Sequence, residues 1–331
     1  MSMMKHIRIA FLGIAAALTF SAMASAQQFG DWGIPINAES IPGTSSEFNT
    51  AFNDGCPYLS PDGLSFYTAS NRPGGMGGQD IWRAIRNSTN EPFGAFVNLP
   101  APINSTADDF CPTPLLGGGL YFVTSRAGGF GGGDIYFSLE EGGGWSVPQN
   151  LGSQINSPAG EASPSYFEDG SGNSYLYFSS NREGGFEAGG TDSDIYFSAN
   201  FGAAQLAPGL NTASDDFRPN VRGEGREIVF DSNRAGGLGG FDIWTASRNG
   251  IGDGWQTPSN LMSLNSTANE TRASFSRDGA TLFLGSNRAG SEGQSDIYVT
   301  TRAAVPEPAS GVLLTIAGLW LVRRRSRCVI T

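Results

Sequence analysis

One pattern returns five times in this chain and constrains its fold more than any other feature. It reads "SNRPGGMGGQDIW" at 70–82, "TSRAGGFGGGDIY" at 124–136 and "SNREGGFEAGGTDSDIY" at 180–196. It then reads "SNRAGGLGGFDIW" at 232–244 and "SNRAGSEGQSDIY" at 286–298. The arginines Arg72, Arg126, Arg182, Arg234 and Arg288 are separated by steps of 54, 56, 52 and 54 residues. A single glycine-rich loop between strand and helix would suggest a phosphate cradle. Five copies at a near-constant step indicate a tandem repeat instead.

Each repeat reads as four short strands, termed A to D from the inside outward, with no helical periodicity. In the third unit, "EASPSYF" (A) and "YLYFSSNR" (B) flank a turn. "DIYFSAN" (C) follows the glycine loop, and "AQLAPGLNT" (D) is a short extended piece containing a proline. Asp62-Gly63 and Asp278-Gly279 stand between β runs as hairpin turns. Four-stranded units in tandem predict an all-β propeller with five four-stranded blades. The A-B-C set occurs five times, but only four D strands follow. Trp32-Gly33-Ile34-Pro35-Ile36-Asn37 matches the D segments at Trp145 and Trp255, so the N-terminal segment is expected to supply the fifth and close the ring.

The pattern Ser-x-Asp-Gly, Leu-x-Phe, Ser-Asn-Arg, Gly-Gly, Asp-Ile-Tyr/Trp resembles the WD-like propeller repeat of the TolB type over about 29–302. The resemblance implies the propeller fold and, as one reading of function, a periplasmic partner of an envelope complex. The flanks read as targeting segments. Lys5 and Arg8, an apolar run from Ile9 to Phe20 and Ala24-Ser25-Ala26 make residues 1–26 a secretory signal. Pro306-Glu307-Pro308, an apolar stretch and Arg323, Arg324, Arg325 and Arg327 resemble the PEP-CTERM sorting signal, which implies exosortase machinery as a partner. The expected organisation is therefore signal 1–26, propeller 27–304 and sorting or transmembrane segment 305–331. The expected location is the periplasm, cell surface or extracellular matrix, with the C-terminal hydrophobic helix engaging the inner membrane.

Composition removes several function classes. Setting aside Lys5, Arg8, the four tail arginines and Glu307 takes 20 basic and 31 acidic residues to 14 and 30, near −16. Nucleic acid is a poor partner for that charge. The only lysine and the only histidine, Lys5 and His6, lie in the signal. Ser-His-Asp sites, histidine metal sites and lysine Schiff bases are thereby excluded from the propeller.

Three polar columns recur in all five units. They are the B-strand arginines named above, the C-strand aspartates Asp80, Asp134, Asp194, Asp242 and Asp296, and the acids before strand A: Asp54, Asp109, Glu161, Asp216 and Glu270. All three are expected on one rim, the last nearest the axis, either as a ligand site or as structural ion pairs. Fivefold recurrence favours ion pairs, because a catalytic site normally breaks a repeat's symmetry. No unit carries a clear unshared acid, so the expectation is a non-enzymatic binding or scaffold module for a protein or polysaccharide. The alternative is a glycosidase-like, carbohydrate-active enzyme using acids at the channel mouth. No cofactor is expected; the only hint of one is calcium at Asp192 and Asp194 in the third unit's longer loop. Cys56 and Cys111 share one repeat position in adjacent units. An exported setting permits their disulfide, but the distance between equivalent atoms on adjacent inner strands favours two separate thiols.

Overall fold

The structure, a computed structural model, describes residues 27–305 except 42, 43, 45, 46 and 188. The secretory segment, and residues 306–331 of the sorting segment, lie outside the described residues. Among the described residues no helix is long and apolar enough to cross a membrane. The propeller unit is Phe29–Ala303.

Five sheets make five blades. The first contains Asp54–Leu59, Ser65–Ser70, Asp80–Ile85 and Val97–Asn98; the second contains Asp109–Pro114, Gly119–Thr124, Asp134–Glu141 and Gln149–Asn150, with Gly144–Trp145 added beside its third strand. The third contains Glu161–Glu168, Ser174–Ser180, Asp194–Ala199 and Gln205–Leu206, and the fourth Asp216–Val221, Glu227–Ser232, Asp242–Ser247 and Ser259–Asn260. The fifth is Glu270–Phe275, Thr281–Ser286 and Asp296–Thr301, completed by the N-terminal strand Ile36–Asn37. Ile36 lies opposite Val299 and Asn37 opposite Tyr298, so the ring closes as the repeat count requires. Trp32 buries itself on the same blade, beside Phe275.

Strand direction alternates within each blade. The lead-in to A and the B–C loop therefore share one face, here the loop face, and the A–B hairpins occupy the opposite hairpin face. The glycine loop joins B to C, as its spacing predicts. At Gly77, Gly131, Gly239 and Gly293 a Cβ would collide with the carbonyl oxygens of Ala107, Ala159, Ala268 and Phe52 in the following blade. Those glycines permit close packing between blades.

The repeated motif is now explained residue by residue. The isoleucines of Asp-Ile-Tyr/Trp (Ile81, Ile135, Ile195, Ile243 and Ile297) are fully buried, each contributing about 1.5–3 kcal/mol. The next residue, Trp82, Tyr136, Tyr196, Trp244 or Tyr298, lies under its own blade's arginine at 4.8–5.5 Å. A further column was not singled out from the sequence. Asn49, Asn104, Asn156, Asn211 and Asn265 each accept from the backbone N–H of an isoleucine in the preceding blade. Asn49 does so to Ile297, which ties the first blade to the last. Its signal was an Asn-Ser/Thr dipeptide whose Asn stands five residues before each A-strand acid.

Candidate functional site

The repeating polar columns form five copies of one ion-pair device. Arg72–Asp54, Arg126–Asp109, Arg182–Glu161 and Arg288–Glu270 pair at 2.5, 2.8, 3.0 and 3.1 Å, and Arg234–Asp216 is the fifth pair. Each pair lies within one blade, and each carboxylate is essentially inaccessible. Its second role is to cap the lead-in turn. The backbone N–H and the hydroxyl of Thr50, Ser105, Ser157, Thr212 or Ser266 donate to it. The arginine Nε donates to the hydroxyl that ends strand B, from Ser70, Thr124, Ser180, Ser232 or Ser286.

The C-strand aspartates do not reach these arginines. Asp80, Asp134, Asp194, Asp242 and Asp296 turn back into their own glycine loops and accept backbone N–H groups from Met76, Phe130, Phe186, Leu238 and Glu292. Each loop thus turns one or two of its N–H groups onto its own carboxylate, which argues against a phosphate cradle. The sequence placed all three columns on an open rim. The structure buries the acids instead, because a carboxylate that caps a turn and pairs with a guanidinium is held inside the blade.

The third blade departs from this scheme. Asp192 Oδ2, Asp194 Oδ1 and the Tyr196 hydroxyl are buried without a hydrogen-bond partner. Burial, helped by the charges of Asp192, Asp216 and Asp215, raises Asp194 to about 6. Among the described residues no group of three or more ligand-type side chains could hold a metal ion.

Asymmetry is greater on the axis. Every inner strand carries a bulge at the residue after the A-strand acid and its neighbour. Cys56, Cys111, Ser163, Arg218 and Arg272 occupy it with φ of 49–56°, at a cost of roughly 1–2 kcal/mol each. The five side chains border one small axial cavity. Cys56 and Cys111 are joined as a disulfide with Cα atoms 4.9 Å apart. The bulge brings neighbouring positions within bonding reach, which strand spacing alone did not suggest. Asp231, fully buried, pairs with Arg218 at 2.5 Å. The equivalent residues are Ala69, Val123, Ser179 and Gly285, so Asp231 is an unshared acid that the search by columns missed.

Beyond this cavity the axis opens on the hairpin face into a funnel of about 410 Å³, within the range of small-molecule sites. It takes residues from the ends of all five inner strands, among them Tyr58, Leu115, Tyr166, Phe167, Glu168 and Phe275. The Tyr166 hydroxyl donates to Glu168 Oε1 at 2.5 Å. Burial, and then Glu168, push the Tyr166 phenol well above its usual range. Tyr121 and Phe201 back its ring at 5.3 and 6.2 Å. The positions equivalent to Glu168 hold Pro61, Leu116, Gly223 and Arg277, and those equivalent to Tyr166 hold Leu59, Pro114, Val221 and Phe275. This pair is therefore also unique to one blade. The signal lay at the end of each A strand and in the turn that follows it, past the columns that recur. Arg277 lines the same funnel and carries no ion pair among the described residues.

No protein-family model matches the chain, and no curated protein matches it. Solved structures do. A thermostable family-43 glycoside hydrolase is 15% identical, with 80% of this chain and 94% of that chain covered and a TM-score of 0.53. A family-43 subfamily-12 glycoside hydrolase from a capybara gut metagenome is 15% identical over 84% of this chain and 61% of that chain, with a TM-score of 0.51. A putative TolB from Agrobacterium tumefaciens is 14% identical over 78% of this chain and 92% of that chain, with a TM-score of 0.46. At these identities the likeness to the two glycoside hydrolases shows a shared fold and no more. The expectation of a non-enzymatic chain is corrected by the comparison, because glycoside hydrolases stand among its structural neighbours. The criterion behind that expectation, the absence of an unshared acid, also fails at Glu168 and Asp231.

Proposed function

We propose that this protein is an exported carbohydrate-active enzyme that cleaves glycosidic bonds in the axial funnel. The observation that carries the reading is the Tyr166–Glu168 pair, a hydroxyl hydrogen-bonded to a carboxylate in a wide, partly aromatic cavity and found in one blade only. The glycoside hydrolases among the structural neighbours support it. So does the secretory segment read at residues 1–26, which would place the enzyme where polysaccharide lies. The sorting segment after residue 305 would then hold it at the envelope or cell surface.

The chemistry follows from the pair. A tyrosine hydroxyl is a weak nucleophile until an adjacent base takes its proton, and a tyrosine nucleophile is one established variant of glycoside cleavage. Tyr166 Oη attacks the anomeric carbon as its proton passes to Glu168. The bond to the leaving oxygen breaks, and that oxygen takes a proton from water in the open funnel. The hydroxide left by that water displaces Tyr166, and Glu168 returns its proton to the phenol oxygen, so both side chains regain their resting state and the configuration is retained over two displacements. The raised phenol keeps Tyr166 protonated in the resting state, so attack is coupled to proton transfer. Tyr58 and Phe275 offer apolar faces to sugar rings, and Arg277 offers a cation to sugar hydroxyl or carboxylate groups.

The test is a panel of chromogenic glycosides and extracellular polysaccharides incubated with the purified chain. Turnover that falls at least roughly a hundredfold in Tyr166→Phe and Glu168→Gln, with melting temperatures unchanged, is expected. Cleavage of nothing in the panel, or equal cleavage by both variants, would contradict the reading.

A further inference from the structure

The axial cavity behind the funnel holds a half-buried cation that shares its one nearby carboxylate, Asp231, with a second arginine. Arg218, Arg272 and Asp231 belong to adjacent blades at the centre of the ring. Asp231 is fully committed: Oδ2 pairs with Arg218 Nη1 at 2.5 Å, and Oδ1 accepts from the Arg272 backbone N–H at 3.0 Å. The Arg272 guanidinium makes no hydrogen bond or ion pair among the described residues, and its Nε is buried without a partner. Gly55 of the neighbouring blade leaves room beside it, since a Cβ there would stand 3.3 Å from Nη1. The three groups together leave one positive charge uncompensated at the axis. Burial and the charge of Arg218 pull Arg272 down to about 9, which still leaves it a cation at neutral pH.

A guanidinium whose Nε is buried without a partner is unfavourable unless an anion accompanies it. The cavity that Arg218, Arg272, Ser163 and the Cys56–Cys111 disulfide line measures about 30 Å³, room for a single water-sized particle. A halide fits that volume, and a sugar carboxylate with its ring does not. Tyr58 and Asn220 line both this cavity and the funnel, so they form the partition between the two. The remaining lining hydroxyls are occupied: Thr113 and Ser274 donate to the carbonyls of Pro164 and Pro57, and Ser163 donates to Cys111 Sγ. We propose that the axial cavity is a halide site in which one chloride ion neutralises Arg272 and locks the inner strands of the first, fourth and fifth blades together.

The test compares the full chain in sodium chloride, sodium bromide and sodium gluconate at matched ionic strength. The melting temperature is expected to rise saturably with chloride and bromide but not with gluconate. The chloride NMR line should broaden on adding protein, and crystals grown in bromide should give an anomalous peak in the axial cavity. Arg272→Gln should abolish all three effects. Asp231→Asn, which releases a second guanidinium, should bind chloride about tenfold more tightly. Equal melting in the three salts with an unbroadened chloride line would overturn the site, as would chloride dependence that survives Arg272→Gln. Should Arg272→Gln fail to fold, the bromide peak decides: present in the cavity, it supports the site, and absent, it overturns it.

Discussion

The loop face and the hairpin face of this propeller are made from the same inner strands, yet they differ in kind. On the loop face each blade presents a carboxylate, Asp or Glu, paired with an arginine, and a capping aspartate turned into its own glycine loop. On the axis and the hairpin face the equivalent positions hold Cys, Cys, Ser, Arg and Arg, or Pro, Leu, Glu, Gly and Arg. Repetition marks what every blade needs in order to fold. Departure from it marks where one blade does something the others do not. The polar residues most visible in the sequence are therefore scaffold, and the candidate chemistry sits at positions that no column contains.

The largest expected effect probes the closure on which both faces depend. Deleting Phe29–Asn37 removes the outer strand of the fifth blade and the buried Trp32. The loss should be at least about 5 kcal/mol, a large share of the roughly 5–15 kcal/mol that holds a domain together. Denaturant melts of the truncated chain check it, and an unchanged midpoint would refute closure.

The arginine column comes next. Each of Arg72, Arg126, Arg182, Arg234 and Arg288 changed to Ala strands a buried carboxylate, at a cost of about 3–5 kcal/mol. The account predicts five similar losses in thermal melts. One large loss and four silent changes would break the comparison, because the loop face would then be as individual as the hairpin face.

The smallest effect concerns pH. Asp194 is raised from 3.8 to about 6 in the folded chain. The folded state therefore holds a proton that the unfolded state has released, and Asp194's contribution to stability is lost as pH rises from about 4 to about 6. Asp194→Asn keeps an acceptor for the Phe186 N–H and removes the charge. The variant should be more stable than the parent at pH 7 and nearly equal to it at pH 4. A difference independent of pH would show that Asp194 does not titrate in that window.

The fold was legible because propellers repeat: spacing gave the blade count, and Trp32-x-x-Pro-x-Asn gave the closure. The site was not, for two physical reasons. Column reading selects what recurs, so it found the ion pairs and passed over Tyr166, Glu168 and Asp231. The bulge at Cys56, Cys111, Ser163, Arg218 and Arg272 was also invisible, because non-glycine residues in the left-handed region carry no compositional mark. That bulge turns the five side chains onto the axis and brings the two cysteines together.

The central claim is that one blade carries scaffold and chemistry on separate faces, and the third blade tests it alone. Arg182→Ala and Glu168→Gln would each be assayed for melting temperature and for turnover per folded molecule, on the glycoside the parent cleaves best. The account predicts that Arg182→Ala lowers the melting temperature and keeps turnover, while Glu168→Gln keeps the melting temperature and loses turnover. Loss of turnover in Arg182→Ala at unchanged stability, with Glu168→Gln fully active, would contradict it.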